Sequence, residues 1–113
     1  MKFDEYQKIA MSTDTAVDVN DWNDPGLMEK ILGLVGEAGE TADKFKKILR
    51  DKGGVVSEED KKEIVKELGD TLWYIAVIAE HLGVSFSEVA KVNNEKLANR
   101  AKRNLIHGAG DNR

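Results

Sequence analysis

Apolar residues recur every three or four positions through most of this chain, and that rhythm predicts helices. Phe3, Tyr6, Ile9 and Ala10 fall at helical spacing and give a short first helix over residues 2–11. Residues 12–25 turn rich in Ser, Thr, Asp and Asn, which predicts a loop. Asp24-Pro25 ends it, with Asp24 suited to the N-cap and Pro25 to the first helical position, where an N–H is not needed. A second helix is expected from about 26 to 51. Its apolar stripe is Leu27, Ile31, Leu34, Val35, Ala38, Ala42, Phe45 and Leu49, and Gly53-Gly54 is its stop. Ser57 and Asp60 form the cap pattern of a third helix, with acids at its positive end, that runs to about Leu82 and stops at Gly83. Ser85, with Glu88 completing a capping box, opens a fourth helix to about Arg103, and residues 104–113 are a Gly-rich tail.

Four helices with short connections and two long central members predict an all-α fold, an antiparallel helical bundle forming a single domain over residues 1–113. From Leu72 to Ala79 the third helix is apolar on every side. A chain this short has difficulty surrounding such a segment, so a second copy is expected to cover one face, making a homo-oligomer. Gly33, Gly36 and Gly39 sit inside the second helix, where each costs up to ~1 kcal/mol against Ala. Close helix packing is the first explanation and backbone approach to a ligand the second.

Composition narrows the function classes. The chain has 113 residues, 41% hydrophobic and 34% charged, well outside the disordered range. A net charge of −4 and a pI near 5.2 offer no general attraction to a nucleic-acid polymer. The absence of cysteine excludes disulfides, thiolate zinc sites and a cysteine nucleophile. Acids at 4 and 5 interrupt any secretory apolar region, and the longest apolar run falls far short of the ~20 residues of a membrane span. A cytoplasmic protein with no membrane partner is expected.

The acids carry the candidate chemistry. Glu37 and Glu40 are three apart on the second helix, and Glu67 and Asp70 three apart on the third, so each pair shares a face. The 26 residues between Glu40 and Glu67 suffice to finish one helix, turn and return antiparallel. Spacing alone admits both a metal site and two solvated acid pairs. The first pair lies on the Gly33/Gly36 side, where bulk is missing, and the second shares its face with Tyr74, Val77 and Ile78. Four clustered carboxylates require a compensating cation, and hard oxygen ligands suit Mg²⁺ or Mn²⁺. A di-iron centre would use Glu-x-x-His, and neither His81 nor His107 follows a Glu by three.

On the fourth helix Asn93, Lys96 and Arg100 form one stripe, either a phosphate-contact surface or a solvated basic face. Lys44 is expected to pair with Glu40 at i,i+4. Trp22 is a candidate to stack on a base or to cap the core. His81 is expected to complement its helix C-terminus.

Together these segments carry a resemblance. Glu37-x-x-Glu40 followed by Glu67-x-x-Asp70, within GLVGEAGETADKFKK and KELGDTLWYIA, resembles the two metal-binding helices of MazG-like all-α nucleotide pyrophosphohydrolases. VNNEKLANR is similar to that family's later Asn-x-x-Lys-Leu segment, and the opening FDEYQ and closing HGAGDNR to short stand-alone members. The resemblance implies hydrolysis of a nucleoside triphosphate to monophosphate and pyrophosphate, Mg²⁺, a helical core and a dimer or tetramer. By the same resemblance Glu37, Glu40, Glu67 and Asp70 hold metal and carry catalysis, and Asn93 and Lys96 contact phosphate or sugar. Relatives specific for dUTP or dCTP, or for phosphoribosyl-ATP, remain open, as does a non-catalytic helical oligomerisation module. Many family members carry two adjacent acids where this chain has Gly36-Glu37, which leaves the general base unassigned.

Overall fold

A computed structural model describes residues 1–15 and 23–113, and its helices are α1 (Phe3–Met11), α2 (Pro25–Lys52), α3 (Glu58–His81) and α4 (Phe86–Lys102). Trp22 lies outside the described residues. Among those described there is no strand. The bounds follow the caps. Asp24 accepts from Gly26 N–H at 2.8 Å, and Gly53 closes α2 in the left-handed region at φ 59°. Ser57 and Asp60 cap α3 reciprocally, and Lys52 Nζ reaches Asp60 at 2.7 Å across the turn. At α4 only half of the expected box forms. Ser85 accepts from Glu88 N–H, while the Glu88 carboxylate turns outward to Lys91. Asp4 of α1 instead accepts from Ser87 N–H and Oγ, at 2.8 and 2.6 Å, supplying the missing anchor from another helix.

Gly33 against Tyr74, Lys44 against Glu67 and Lys52 against Asp60 show α2 and α3 running antiparallel. α1 packs on α3, and α4 packs on both, whereas α2 and α4 do not meet among the described residues. The expected four-helix bundle is therefore open: a long hairpin with two shorter helices gathered at one end. The radius of gyration is 16.9 Å, against about 13 Å for a compact chain of this length.

The main core lies at the gathered end. Ala10, Ala76, Val77 and Phe86 are buried, with Tyr6, Met11, Leu72, Trp73 and Ile75 packed around them. Of the Leu72–Ala79 segment, Ala76, Val77 and Ala79 are buried within one chain, Leu72 to Ile75 and Ile78 are half-buried, and Ile75 and Ile78 line an apolar groove with Leu34 and Val92. Further exposed apolar surface lies on α2. Of the stripe expected on α2, Leu27 is buried, but Val35 is 67% and Leu49 68% exposed, and Ile48, outside that stripe, faces α3 instead. The apolar arc of α2 is wider than one partner helix, so its far edge is uncovered.

Polar groups lock the gathered end. The buried Gln7 amide donates to the carbonyls of Ala76 and Val84, and accepts from Phe86 N–H at 2.9 Å, tying α1 to the α3–α4 junction. Asp14, 1% exposed at its side chain, accepts from Lys30 Nζ at 2.9 Å and contacts His81 Nε2 at 2.7 Å. His81, in the last turn of α3 as expected, also pairs with the segment after α1. Lys30 also lies 5.3 Å from the centre of the Trp73 ring.

Candidate metal centre

Glu37 stands near the middle of α2, and Glu67 and Asp70 one turn apart on α3. The hairpin turns the three toward one another. One carboxylate oxygen from each lies within 4.8 Å of the others. Octahedral coordination at 2.0–2.1 Å places ligand oxygens about 3 to 4 Å apart, a spacing comparable with that of this set. An all-oxygen donor set suits these hard cations.

The electrostatics agree with that fit. The Glu37 carboxyl is pushed above its ordinary range, first by desolvation and then by the charges of Asp70, Glu67 and Glu40. A cation among them would reverse that repulsion. Lys44 supplies part of the compensation, its Nζ 3.4 Å from Glu67 Oε1. This cross-helix contact replaces the expected pairing with Glu40 and sets an ammonium beside one of the three converging carboxylates. Thr71 Oγ1 donates to the Glu67 carbonyl, and Thr41 Oγ1 to that of Glu37, so a hydroxyl one turn on accompanies each.

The fourth acid behaves differently. Glu40 is exposed and lies outside the converging set, although its charge reaches Glu37. Of the α4 stripe, Asn93 is exposed, Lys96 half-buried and Arg100 buried. The partners of Lys96 and Arg100 belong to the C-terminal tail, not to the acids. Two neighbours were not legible as site residues. Tyr6, readable only as a core position of α1, has its phenol pushed up first by burial and then by the charge of Asp70. Asp111, in an apparently featureless tail, meets both basic residues of α4.

Gly33 explains how the hairpin closes beside this site. A Cβ there would lie 2.3 Å from Tyr74 Cε1, so the ring occupies the space left by the missing side chain. Gly36 and Gly39 have nothing within 4 Å of an added Cβ, so packing accounts for one glycine of the three within this chain.

Comparison with known proteins adds a family to this geometry. The model of the MazG nucleotide pyrophosphohydrolase domain matches residues 27–105, which includes all four acids and the α4 stripe. The "Gene 37 protein" of Mycobacterium phage L5 is 46% identical over 114 aligned positions that cover both chains completely. The "Uncharacterized protein YvdC" of Bacillus subtilis (strain 168) is 34% identical over 84 positions, covering 70% of this chain and 79% of that one. No solved structure matches the chain significantly.

Proposed function

Because the chain belongs to the MazG nucleotide pyrophosphohydrolase family, we propose that it cleaves a nucleoside or deoxynucleoside triphosphate to the monophosphate and pyrophosphate, with Mg²⁺ as cofactor and Mn²⁺ as a substitute. The observation that carries this reading is the convergence of Glu37, Glu67 and Asp70 from two helices inside the family-matched span. These three would hold the divalent ion. When bound, such an ion neutralises phosphate oxygens and acidifies water for attack on phosphorus.

The chain's own groups then divide the remaining work. Lys44 holds the Glu67 carboxylate toward the set. Glu40, one turn from Glu37 and not drawn into the set, is placed to complete it or to accept a proton. Lys96 and Asn93 would offset and orient the charge of the departing pyrophosphate, with Arg100 behind them and Trp22 available to a base. Within the chain Lys96 and Arg100 meet Asp111 of the tail and none of Glu37, Glu40, Glu67 or Asp70, which fits a site assembled with a second copy. The uncovered Leu32, Val35, Leu49, Val65 and Leu68, each at least half exposed, fit the same assembly. Among the described residues no helix is long and apolar enough to cross a membrane, in keeping with an enzyme acting on the cytoplasmic nucleotide pool.

A panel of the eight common ribo- and deoxynucleoside triphosphates, assayed with Mg²⁺ for pyrophosphate release, tests the reading. Pyrophosphate from at least one of them, lost in Asp70→Asn with helical circular dichroism unchanged, is expected. Orthophosphate alone, or no turnover of any triphosphate, would contradict it. Sedimentation at micromolar concentration tests the assembly, with a dimer or tetramer expected and a monomer excluding it.

A further inference from the structure

Residues 104–113 do not trail away from α4 but fold back along it. Leu105 N–H donates to the Arg100 carbonyl at 2.8 Å. The Arg113 guanidinium takes the carbonyls of Leu105 and Ile106, at 3.1 and 3.0 Å, and that of Gly110. Arg103 reaches back to the Arg113 carbonyl at 2.7 Å. Asn104, Gly108 and Gly110, all at positive φ, let so short a segment reverse.

This strap lays Asp111 on the basic face of α4. Its Oδ1 is 3.2 Å from Lys96 Nζ and 3.3 Å from Arg100 Nη2. Arg100 Nη2 also donates to the carbonyls of Asp111 and Gly110, at 2.8 and 3.3 Å. Arg100 is only 5% exposed, yet its Nε is a buried donor with no partner among the described residues. The docked strap therefore leaves one guanidinium N–H waiting for an acceptor. The Asp111 carboxyl is held below its ordinary range, first by Lys96 and then by Arg100.

We propose that Lys96 and Arg100 form an anion site in which Asp111 is a tethered occupant, and that a phosphoryl group of a polyphosphate ligand takes the site by displacing that carboxylate. The proposal rests on the reading of Lys96 as a phosphate contact and adds the competitor. Displacement is cheap. The Asp111 side chain is 82% exposed, so it can turn outward while the Arg113 contacts stay in place. Solvent screening keeps the exposed Lys96–Asp111 pair weak. A polyphosphate brings more charge and more acceptor oxygens than one carboxylate, so it competes better than a monophosphate does. The tail would thus favour the triphosphate over its monophosphate product.

The test is calorimetric titration with inorganic tripolyphosphate in metal-free buffer, where the acid cluster contributes no attraction. Asp111→Ala is expected to bind about two- to fivefold more tightly than the unmodified protein, and Lys96→Ala several-fold more weakly. The gain from Asp111→Ala should vanish in the Lys96→Ala background. Equal or weaker binding by Asp111→Ala, with Lys96→Ala still weakened, removes the tethered competitor and leaves the phosphate contact standing. No loss on Lys96→Ala removes both. Because Asp111 is exposed, unchanged helical circular dichroism is expected in its variant.

Discussion

The two ends of the α2–α3 hairpin are built on opposite terms. At the end where α3 finishes, α1 and α4 close over Ala76, Val77 and Phe86, Gln7 makes three buried hydrogen bonds, and Asp14 is met by Lys30 and His81. Toward the hairpin turn α2 and α3 face each other, with Tyr6 of α1 near Asp70. There Val65 and Leu68 are exposed, and Glu37, Glu67 and Asp70 repel one another. The closed end pairs its buried charges, whereas the acid-bearing stretch crowds like charges together with Lys44 beside Glu67. Buried packing is concentrated in the first, and like charge in the second.

That contrast is broken most severely at the buried ion pair. Lys30→Met strips Asp14 of its ammonium partner and should cost about 3 kcal/mol, read as a fall in the urea midpoint. The glycines of α2 come next. Gly33→Ala drives a Cβ into Tyr74 and should destabilise by about 1–3 kcal/mol. Gly36→Ala meets nothing within the chain and should stabilise a monomer by up to ~1 kcal/mol. A destabilised Gly36→Ala oligomer would instead place a second copy on that face.

The smallest effect concerns acid titration at the hairpin turn. Lys52 and the Ser57 cap hold the Asp60 carboxyl down at about 2, below its ordinary value of 3.8. Its contribution is complete above the unfolded value and is lost as pH falls from near 4 through 2. Asp60→Asn should flatten that part of the acid-denaturation curve, and an unchanged curve would show that the contact contributes nothing.

Why some features were legible and others not follows from range. Helix bounds depend on nearby residues, so Asp24-Pro25, Gly53, Ser57 and Ser85 announced them. Spacing put Glu67 and Asp70 on one face, and a short turn brought that face to Glu37. What failed was non-local. The sequence pattern of α2 shows an apolar arc but not which edge α3 will take, so the stripe includes the exposed Leu49 and leaves out the buried Ile48. Lys44 offered an i,i+4 partner and chose one across the hairpin. Gln7, Asp14 and Asp111 act over distances that no local pattern encodes. Glu40, paired with Glu37 by spacing, is exposed and lies outside the set, which the i,i+3 pattern could not tell.

The central claim is that the acid-bearing stretch is completed by a divalent ion. Thermal unfolding across a Mg²⁺ titration, run on the unmodified protein and on Asp70→Asn, tests it most directly. Ligand linkage predicts a melting temperature that climbs with Mg²⁺, by an amount equivalent to about 2.7 kcal/mol at a hundredfold excess over the dissociation constant. In Asp70→Asn that climb should be largely lost. Flat curves for the unmodified protein, or equal climbs in both, would contradict the account.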